Sequence, residues 1–485
     1  MMENPKLKKL AHSWLTSASL SEINHKLVRE ELTSRELVLM YLYRIATLDK
    51  DKINAIIEIN PEALQTAEAM DKERAVKGPR GKLHGIPVLI KDNIATNDKM
   101  HTSAGSVALA DSFALKDAFI VKKLREAGAI ILGKTNMTEW ANFMGENMPT
   151  GYSSRGGQVT NPYGSEFIVG GSSSGSGAAI AAGFATVAIG TETSGSILSP
   201  ASQNSLVGIK PTVGLISRNG IIPISHTQDT AGPMTKTVED AVLLLNGIVG
   251  VDENDPITKT NHKLQNIDFT TFLRSDGLKG AKIGIAREVY FDYLSEDKAK
   301  VINGAIEKIK TLGADVVDIT IPSTKSKWNI DVLKYEFKVG INTYLKEFTT
   351  CAKISSLTDI ISFNENNRDV MLKYGQKMLL ESNATSGTLT EKEYITSLEH
   401  DQYHAKDNGI DAALKEVDAI VFPNNFGASI PAKAGYPSIT IPAGFTDEGE
   451  PVGITFTSAA FSEGILLSFA YAYEQATKER KAPNI

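Results

Sequence analysis

The sequence predicts an α/β fold with a layered core, and three observations carry this prediction. Short apolar runs, which are typical of buried strands, alternate with helical patterns along residues 61–250. A strand–helix–strand pattern then occupies the segment from "AKIGIA" to "ADVVDITIP". Apolar strand signals return near the C-terminus in "DAIVFPN" and "YPSITIPAG". Such alternation favours helices packed against a sheet.

Residues 1–60 are predicted to be mainly helical. Ser19 with Glu22, and Thr33 with Glu36, fit the capping box, in which two side chains satisfy free N–H groups where a helix begins. After this second capping box, one face of the helical pattern is apolar: Val38, Tyr41, Leu42, Ile45 and Leu48. These signals predict two N-terminal helices, the second with an apolar face.

Residues 61–250 alternate strand and helix signals. "GKLHGIPVLIKDN" predicts a buried strand from Ile86 to Ile90 that leads into a polar turn. "FIVKKLREAGAIILGKTNM" predicts a helix, a glycine break and another strand. From Ser172 to Val249 the chain is small, apolar and glycine-rich, and "VAIGTETSGSI" predicts a strand followed by a turn.

The composition becomes more polar after residue 250. Residues 251–416 are predicted to be an insertion that contains the strand–helix–strand unit, with its helix from Glu296 to Leu312. The second half of the insertion, from Lys334 to Leu414, is predicted to be mostly helical. Residues 417–485 are expected to return to the core with strands and a C-terminal helix, so that the whole chain forms one domain.

Bulk composition excludes several classes of function. The chain has 485 residues, of which 42% are hydrophobic, and a net charge of −6, which does not favour nucleic acid or an acidic membrane as a partner. Its single cysteine, Cys351, excludes a disulfide within the chain and a multi-cysteine metal site. Neither a signal peptide nor an apolar run near the ~20 residues of a membrane span is visible. A cytoplasmic location is therefore expected.

The segment "GGSSSGSGAA", residues 170–179, invites several interpretations. A flexible linker is disfavoured because apolar runs flank the segment on both sides. A phosphate-binding loop requires a lysine after its glycines, and none is present here. A nucleophile elbow fits locally, with Ser173 at the centre of Gly-x-Ser-x-Gly between a strand and a helix.

The elbow hypothesis lacks suitable partners for its serine. It requires an acid and a histidine downstream. His400 and His404 lie in a segment predicted to be an exposed polar helix. His226 lies on a predicted loop, but the only acid between it and Ser173 is Glu192. The elbow is therefore the weaker interpretation.

A fourth interpretation depends on Lys91, which ends the apolar strand of "IPVLIKDN". Desolvation lowers the pKa of a lysine, and a neutral lysine can act as a general base toward serine. Downstream, "GTETSGSILSPAS" places a second serine at a strand-to-turn junction. When Lys91 is considered alone, the commoner interpretation is a surface lysine that extends its amine to solvent.

Taken together, these segments resemble the amidase signature family. The family's pieces stand in order: "GIPVLIKDN", "GKTNMTEWAN", "NPYGSEFIVGGSSSGSGAAIAAG", the stretch from "GTETSGSILSPAS" to "ISHTQDTAGPM", and "GYPSITIPAGF". The likeness runs to Gly250, resumes near Asp418 and is weak over the insertion. "RGGQ", "TETSGSI" and "ISHTQDTAGPM" are most similar to the bacterial peptide amidases. The resemblance implies a mixed central sheet covered by helices on both faces, with a helical insertion.

The resemblance also implies the activity and its residues. The activity is hydrolysis of a carboxamide C–N bond through a serine acyl-enzyme, with Lys91 as base, Ser172 as bridging serine after a cis peptide bond, and Ser196 as nucleophile. The expected oxyanion donors are the backbone N–H groups of the nucleophile and of the three residues before it: Thr193, Ser194 and Gly195. No cofactor or metal is implied. The expected partner is a small-molecule amide or a peptide amide, and the oligomeric state is left open.

Two rival functions remain at this level. One is the glutaminase-like component of a tRNA-dependent amidotransferase, which typically has arginine where this chain has Leu198. The other is a non-catalytic binding protein on the same fold, which would be expected to have lost one of the three proposed catalytic residues. Ser194 and Ser199 also differ from the residues common in the family, which bears on substrate preference. A free-standing amidase is preferred.

Further side chains have expected supporting roles. Asp92 and Asn93 are expected to fix the turn after the lysine, Arg155 to support the wall of the site, and Asp229 to tie its loop to backbone amides. Six further residues are pocket candidates, with core packing as the alternative for each. Trp140, Phe143 and Met144 are candidates to line the acyl pocket, and three residues of the insertion are candidates to cover the site: Met371, Tyr374 and Met378.

Overall fold

Most strands of the protein belong to one mixed β-sheet. The computed structural model describes residues 4–261 and 267–485, in which the sheet has the strand order β1-β3-β2-β6-β8-β7-β12-β13-β11-β9-β10. The strands are β1 (Ile56–Ile59), β2 (Pro87–Lys91), β3 (Ile130–Thr135), β4 (Tyr152–Ser153), β5 (Gly157–Gln158), β6 (Val187–Glu192), β7 (Val207–Lys210), β8 (Thr230–Thr235), β9 (Lys282–Ala286), β10 (Asp315–Ile319), β11 (Ala419–Pro423), β12 (Ser438–Phe445) and β13 (Pro451–Thr457). Strands β4 and β5 form a separate short hairpin.

Helices cover this sheet. They are α1 (Pro5–Ser13), α2 (Leu20–Val28), α3 (Ser34–Leu48), α4 (Ala63–Lys77), α5 (Phe119–Glu126), α6 (Ser174–Ala181), α7 (Leu198–Gln203), α8 (Val238–Ile248), α9 (Glu296–Thr311), α10 (Asp331–Phe348), α11 (Leu357–Asn366), α12 (Arg368–Met371), α13 (Lys377–Asn383), α14 (Lys392–Ala405), α15 (Asp411–Ala413), α16 (Ser429–Ala434) and α17 (Glu463–Thr477). Every residue of β2, β3, β6, β7 and β8 is buried. Because successive strand residues point to opposite faces, both faces of the sheet are covered there. The predicted fold class is confirmed.

The N-terminal helices begin as predicted. In α2, Ser19 accepts from the N–H of Glu22 while the glutamate side chain accepts from the N–H of Ser19. Thr33 and Glu36 make the same exchange at the start of α3. Each N-cap contributes about 1 kcal/mol to helix stability. No helix in the described part of the chain is long and apolar enough to cross a bilayer.

The predicted insertion takes part in the central sheet. Within residues 251–416, β9 and β10 pair in parallel with α9 between them, and β9 also pairs in parallel with β11. The predicted helix from Glu296 to Leu312 is observed one residue shorter, and α10–α15 form the mostly helical second half. Residues 262–266 of this segment lie outside the described residues. The division of the chain at residues 250 and 416 stays a prediction.

The sheet topology brings two predicted site segments to one edge. Strand β2 pairs in parallel with β6, with Val88 opposite Val187 and Ile90 opposite Ile189. Lys91 is the last residue of β2, and Glu192 is the last residue of β6. Because the carboxyl ends of parallel neighbours lie at the same edge of a sheet, Lys91 and the turn after β6 lie side by side.

Candidate active site

Lys91 is buried at the carboxyl end of β2, with no exposed surface. Its Nζ lies 2.7 Å from Ser172 Oγ, 2.9 Å from Thr191 Oγ1 and 3.2 Å from the Thr191 carbonyl oxygen. Burial lowers the pKa of Lys91 to about 7, and the negative charges of Asp229 and Glu192 oppose that lowering. A lysine with its pKa in this range can lose its proton near neutral pH, which makes Lys91 a candidate proton acceptor.

Ser172 begins the turn that leads into α6. The Gly171–Ser172 peptide bond is cis, as the resemblance implies. The Ser172 carbonyl accepts from the N–H of Thr138 at 3.0 Å, and its hydroxyl contacts Lys91. The N–H of Ser173 donates to the carbonyl of Ser196 at 3.1 Å. This backbone bond joins the serine–glycine turn to the turn that carries the predicted nucleophile.

Ser173, the centre of the alternative elbow, is engaged with the backbone of β6. Its hydroxyl donates to the Thr191 carbonyl at 3.1 Å and accepts from the Thr191 N–H at 3.2 Å. The residue is fully buried. Because the Ser173 hydroxyl both donates to and accepts from β6, it is not available to attack a substrate. This arrangement does not favour the nucleophile elbow.

Thr193 to Ser196 form the turn that follows β6. Ser194 is exposed, and Ser196 is 8% exposed, so this turn faces solvent at the edge of the sheet. Gly195 has φ +81°, a conformation that glycine adopts without the steric cost of a Cβ. Among the described residues, the Ser196 hydroxyl makes no hydrogen bond with a protein group. It is therefore free to meet a ligand.

Glu192 organises this turn from beneath. Its carboxylate accepts from the N–H groups of Gly195 at 2.6 Å, Ile197 at 2.7 Å and Leu198 at 3.0 Å. The sequence pointed to Glu192 only as a possible partner of His226, and this role was missed. An acid that ends an apolar strand and precedes a glycine turn and a short helix is the signal that could have found it, because helix starts leave N–H groups that need acceptors.

The expected set of oxyanion donors changes at one position. The N–H of Gly195 donates to Glu192 and is therefore not available to an oxyanion. Within residues 4–261 and 267–485, the N–H groups of Thr193, Ser194 and Ser196 have no acceptor. The turn can therefore offer these three N–H groups to an oxyanion, because the Glu192 carboxylate already binds the fourth one, that of Gly195.

Asp229 fixes the first residue of the turn. Its Oδ1 accepts from Thr193 Oγ1 at 2.5 Å, while its Oδ2 accepts from the N–H groups of Ile224 at 2.8 Å and Ser225 at 2.9 Å. Burial raises the pKa of Asp229 to about 6. The expected tie between Asp229 and backbone amides is present, and the bond to Thr193 extends it to the predicted nucleophile turn.

Two cavities meet at Asp229. One, of about 20 Å³, lies beside Asn93, Thr191 and Thr193, close to the partners of Lys91. The other is a cleft of about 390 Å³ between α10 and the loop that contains His226. Asp229 lines both of them. Asp229 therefore borders both the open cleft and the small cavity beside the partners of Lys91.

Charged groups support the turn after Lys91. Asp92 is fully buried and accepts from the N–H of Gly105 at 2.9 Å and from the Ser103 hydroxyl. Arg155 lies 3.5 Å from the Asp92 carboxylate and 2.6 Å from that of Glu58. Asn93 donates to Thr191 Oγ1 at 3.0 Å, the atom that Lys91 also contacts. These contacts tie the turn after Lys91 to neighbouring segments, and the supporting roles of Asp92, Asn93 and Arg155 stay predictions.

The six pocket candidates belong to the hydrophobic core cluster or pack directly against it. The Phe143 ring lies 5.2 Å from that of Phe337 in α10, and the N–H of Met378 donates to the Met144 carbonyl at 2.9 Å. Core packing is therefore the role that their contacts give them. In the part of the chain that the structure describes, no group of three or more His, Cys, Asp or Glu side chains could hold a metal ion.

Comparisons with known proteins agree over nearly the whole chain. A family model described as Amidase matches residues 36–430. A probable amidase of Arabidopsis thaliana is 42% identical, with 97% of this chain and 92% of that relative covered. The crystal structure of native peptide amidase from Stenotrophomonas maltophilia is 43% identical, with a TM-score of 0.91 and 96% and 98% of the two chains covered. The glutamyl-tRNA(Gln) amidotransferase component from Rippkaea orientalis is 34% identical, with 96% of this chain and 98% of that relative covered.

Proposed function

Because the chain belongs to the amidase signature family and is a hydrolase acting on amide C–N bonds, we propose that Ser196 forms the acyl-enzyme and that Ser172 and Lys91 relay its proton. The observation that carries the proposal is the 2.7 Å contact between Lys91 Nζ and Ser172 Oγ at a lysine with no exposed surface. Other lysines of the described residues, such as Lys134, are also fully buried, so the contact with Ser172, and not burial alone, supports a role of Lys91 in proton transfer.

The proposed reaction begins with attack of Ser196 Oγ on the amide carbonyl carbon. The Ser196 proton passes to Ser172 Oγ as the Ser172 proton passes to neutral Lys91. The negative charge on the former carbonyl oxygen is then stabilised by the N–H groups of Thr193, Ser194 and Ser196.

Collapse of this intermediate breaks the C–N bond. The proton on Lys91 returns through Ser172 to the leaving nitrogen, because an amine leaves poorly unless it is protonated. Water then attacks the Ser196 ester, with the same relay as base, and releases the carboxylic acid. Hydrogen bonds between catalytic groups are often incomplete without substrate, which fits the unpaired Ser196 hydroxyl.

The proposed substrate is a small amide or a peptide amide. The relative from Stenotrophomonas maltophilia is a peptide amidase by name. The test is incubation of the purified protein with an N-acylated dipeptide amide. Ammonia is measured by a coupled assay, and the free acid by mass spectrometry. We expect both products with the wild type and neither with Ser196→Ala.

The same assay separates the rival functions. A glutaminase-like amidotransferase component would be recognised by release of ammonia from free glutamine with no activity on peptide amides. Leu198 argues against that role, because arginine is typical of those proteins at this position. A non-catalytic binding protein would release no ammonia from any amide and form no acyl adduct detectable by intact mass.

Ser172 and Ser173 are expected to differ in what they contribute. Ser172→Ala should reduce kcat/KM for an amide by roughly 10²-fold to 10⁴-fold, because the path from Ser196 to Lys91 is lost. Ser173→Ala should reduce the rate less and mainly lower the Tm, since its hydroxyl is bonded to the β6 backbone. Both variants are measured on one amide and on the matching ester. Ser172→Ala should impair the amide more, because an ester needs less protonation of its leaving group.

The double variant provides a check on this assignment. It should be little slower than Ser172→Ala alone, because groups that act as a unit are not additive. An inactive Ser173→Ala beside a nearly normal Ser172→Ala would instead favour the nucleophile elbow.

Asp229→Asn is expected to shift the pH dependence of kcat/KM to lower pH. The Asp229 carboxylate raises the pKa of Lys91 against the effect of burial, so its neutralisation should lower that pKa further. Lys91 would then be uncharged at more acidic pH, and the ascending limb of the profile would move in that direction. With its carboxamide oxygen toward the N–H groups of Ile224 and Ser225, asparagine can donate from Nδ2 to Thr193 Oγ1, so the turn is expected to keep its geometry.

The matched control for this shift is Asp297→Asn, the same change at an exposed position of α9. It should leave the pH profile in place. A shift of the Asp229→Asn profile toward higher pH would contradict the electrostatic role.

A further inference from the structure

The turn after β11 lies against the predicted nucleophile turn. It runs from Asn424 to Ala428 and leads into α16. A Cβ built on Gly195 would lie 3.4 Å from Asn425 Nδ2 and 3.8 Å from Ala428 Cβ. The Asn425 carboxamide is therefore adjacent to the residue that precedes Ser196.

The backbone of this turn is held by several hydrogen bonds. Asn424 is fully buried; its N–H donates to the Gly453 carbonyl at 2.8 Å, and its Oδ1 accepts from the Gly453 N–H at 2.9 Å. The Asn425 carbonyl accepts from the N–H of Ala428 at 3.0 Å. Because the flanking residues are tied to β13 and to the turn itself, the position of Asn425 is defined on a rigid support.

The side chain of Asn425 contrasts with that of its neighbour. Asn424 Oδ1 is used in the fold while its Nδ2 has no partner, and neither amide atom of Asn425 has a hydrogen-bond partner in residues 4–261 and 267–485. Asn425 is also half-buried, and its Nδ2 lies beside Gly195, the residue that follows the exposed Ser194. An anchored polar side chain with unused hydrogen-bonding capacity, next to a nucleophile, is suited to contact a substrate.

The surroundings of Asn425 do not favour recognition of a charged group. Residues 424–428, "NNFGA", carry no charge. The lysine of the adjoining helix α16, Lys433, is 8% exposed and paired with Asp401 at 2.5 Å. A ligand group that binds Asn425 is therefore recognised by hydrogen bonds and not by charge.

We infer that Asn425 is a specificity-determining residue, which binds a peptide group in the acyl part of the substrate. A carboxamide offers two donors and one acceptor atom, which complement the C=O and N–H of a secondary amide. A plain hydrocarbon acyl chain would leave these groups unpaired. The inference rests on the proposed function and narrows its substrates to N-acylated amino acid amides and peptide amides, in preference to amides of simple carboxylic acids.

The test compares two amides that differ only in the peptide group. N-acetyl-L-phenylalaninamide carries it, and 3-phenylpropanamide lacks it. The kcat/KM for ammonia release is measured on both with the wild type and with Asn425→Ala. We expect Asn425→Ala to lower kcat/KM for the acetylated substrate by about 10-fold to 100-fold, and to change the other by less than about threefold.

Two further variants sharpen the comparison. Asn303→Ala makes the same change at an exposed position of α9 and should leave both substrates unaffected. Asn425→Asp keeps the shape but removes both donors, so it should also impair the acetylated substrate selectively. Equal losses on the two substrates, or no loss on either, would overturn the inference.

Failure of the inference is distinguishable from failure of the proposed function. If the wild type releases no ammonia from either amide, or if Ser196→Ala keeps the activity, the proposed function itself is wrong. If hydrolysis depends on Ser196 but Asn425→Ala does not discriminate between the substrates, only the role of Asn425 is rejected.

Discussion

Ser196→Ala is expected to abolish amide hydrolysis, with a loss in kcat on the order of 10⁴-fold or more. The reason is that alanine has no oxygen with which to form the acyl-enzyme, so Ser172 and Lys91 have no proton to move. The proposed oxyanion donors are backbone groups and survive the substitution, so the residual rate should be that of water attacking a bound, polarised amide.

Labelling provides a second readout that needs no knowledge of the substrate. A fluorophosphonate probe should add one adduct to the wild type, detected by intact mass, and none to Ser196→Ala. The matched control is Ser194→Ala, which changes an exposed serine of the same turn while leaving its backbone N–H in place. That variant should label at a rate close to the wild type. Full-rate labelling of Ser196→Ala would reject Ser196 as the nucleophile.

Lys91→Met is expected to lower kcat/KM by roughly 10²-fold to 10⁴-fold and to remove the rise of the rate with pH. Methionine has a similar length and is apolar, so it can occupy the buried site at the end of β2 without an amine. Burial lowers the pKa of Lys91 to about 7, so the wild-type rate should rise as pH increases through this value and the amine loses its proton. Below that pH the protonated lysine cannot accept a proton from Ser172.

A neighbouring lysine offers the control for this variant. Lys134 is also fully buried, on β3, where burial lowers its pKa to about 8, and it donates to Thr102 Oγ1 at 2.9 Å. Lys134→Met should lower the Tm, because it leaves buried acceptors unpaired, yet preserve the midpoint of the pH profile. If Lys91→Met retained the wild-type pH profile, the base would lie elsewhere.

Hydrogen bonds connect the predicted insertion to the candidate active site. Glu336 of α10 is 1% exposed and accepts from the hydroxyls of Ser225 and Thr227. The same loop holds Asp229, which accepts from Thr193. A chain of hydrogen bonds therefore joins the segment of residues 251–416 to the predicted nucleophile turn, and variants at Glu336 are expected to lower the stability of that loop.

The sequence by itself determined the local elements of this protein. The capping boxes of α2 and α3, the helix α9 and the strand that ends at Lys91 all follow from signals within a few neighbouring residues. The order of the family's motifs identified the family, and hence the fold class and the chemistry. Because those motifs are short and contiguous, they also directed attention to Lys91, Ser172 and Ser196, whose roles stay proposals.

The tertiary structure alone decided which groups meet. The Lys91–Ser172 contact joins residues 81 positions apart, and it depends both on the parallel pairing of β2 with β6 and on the hydrogen bonds that hold Ser173, the next residue, to Thr191 of β6. The use of the Gly195 N–H by Glu192, and the placement of Asn425 beside Gly195, likewise depend on how separate turns pack. Local propensity along the sequence does not predict such long-range contacts, because they depend on how the whole core is buried.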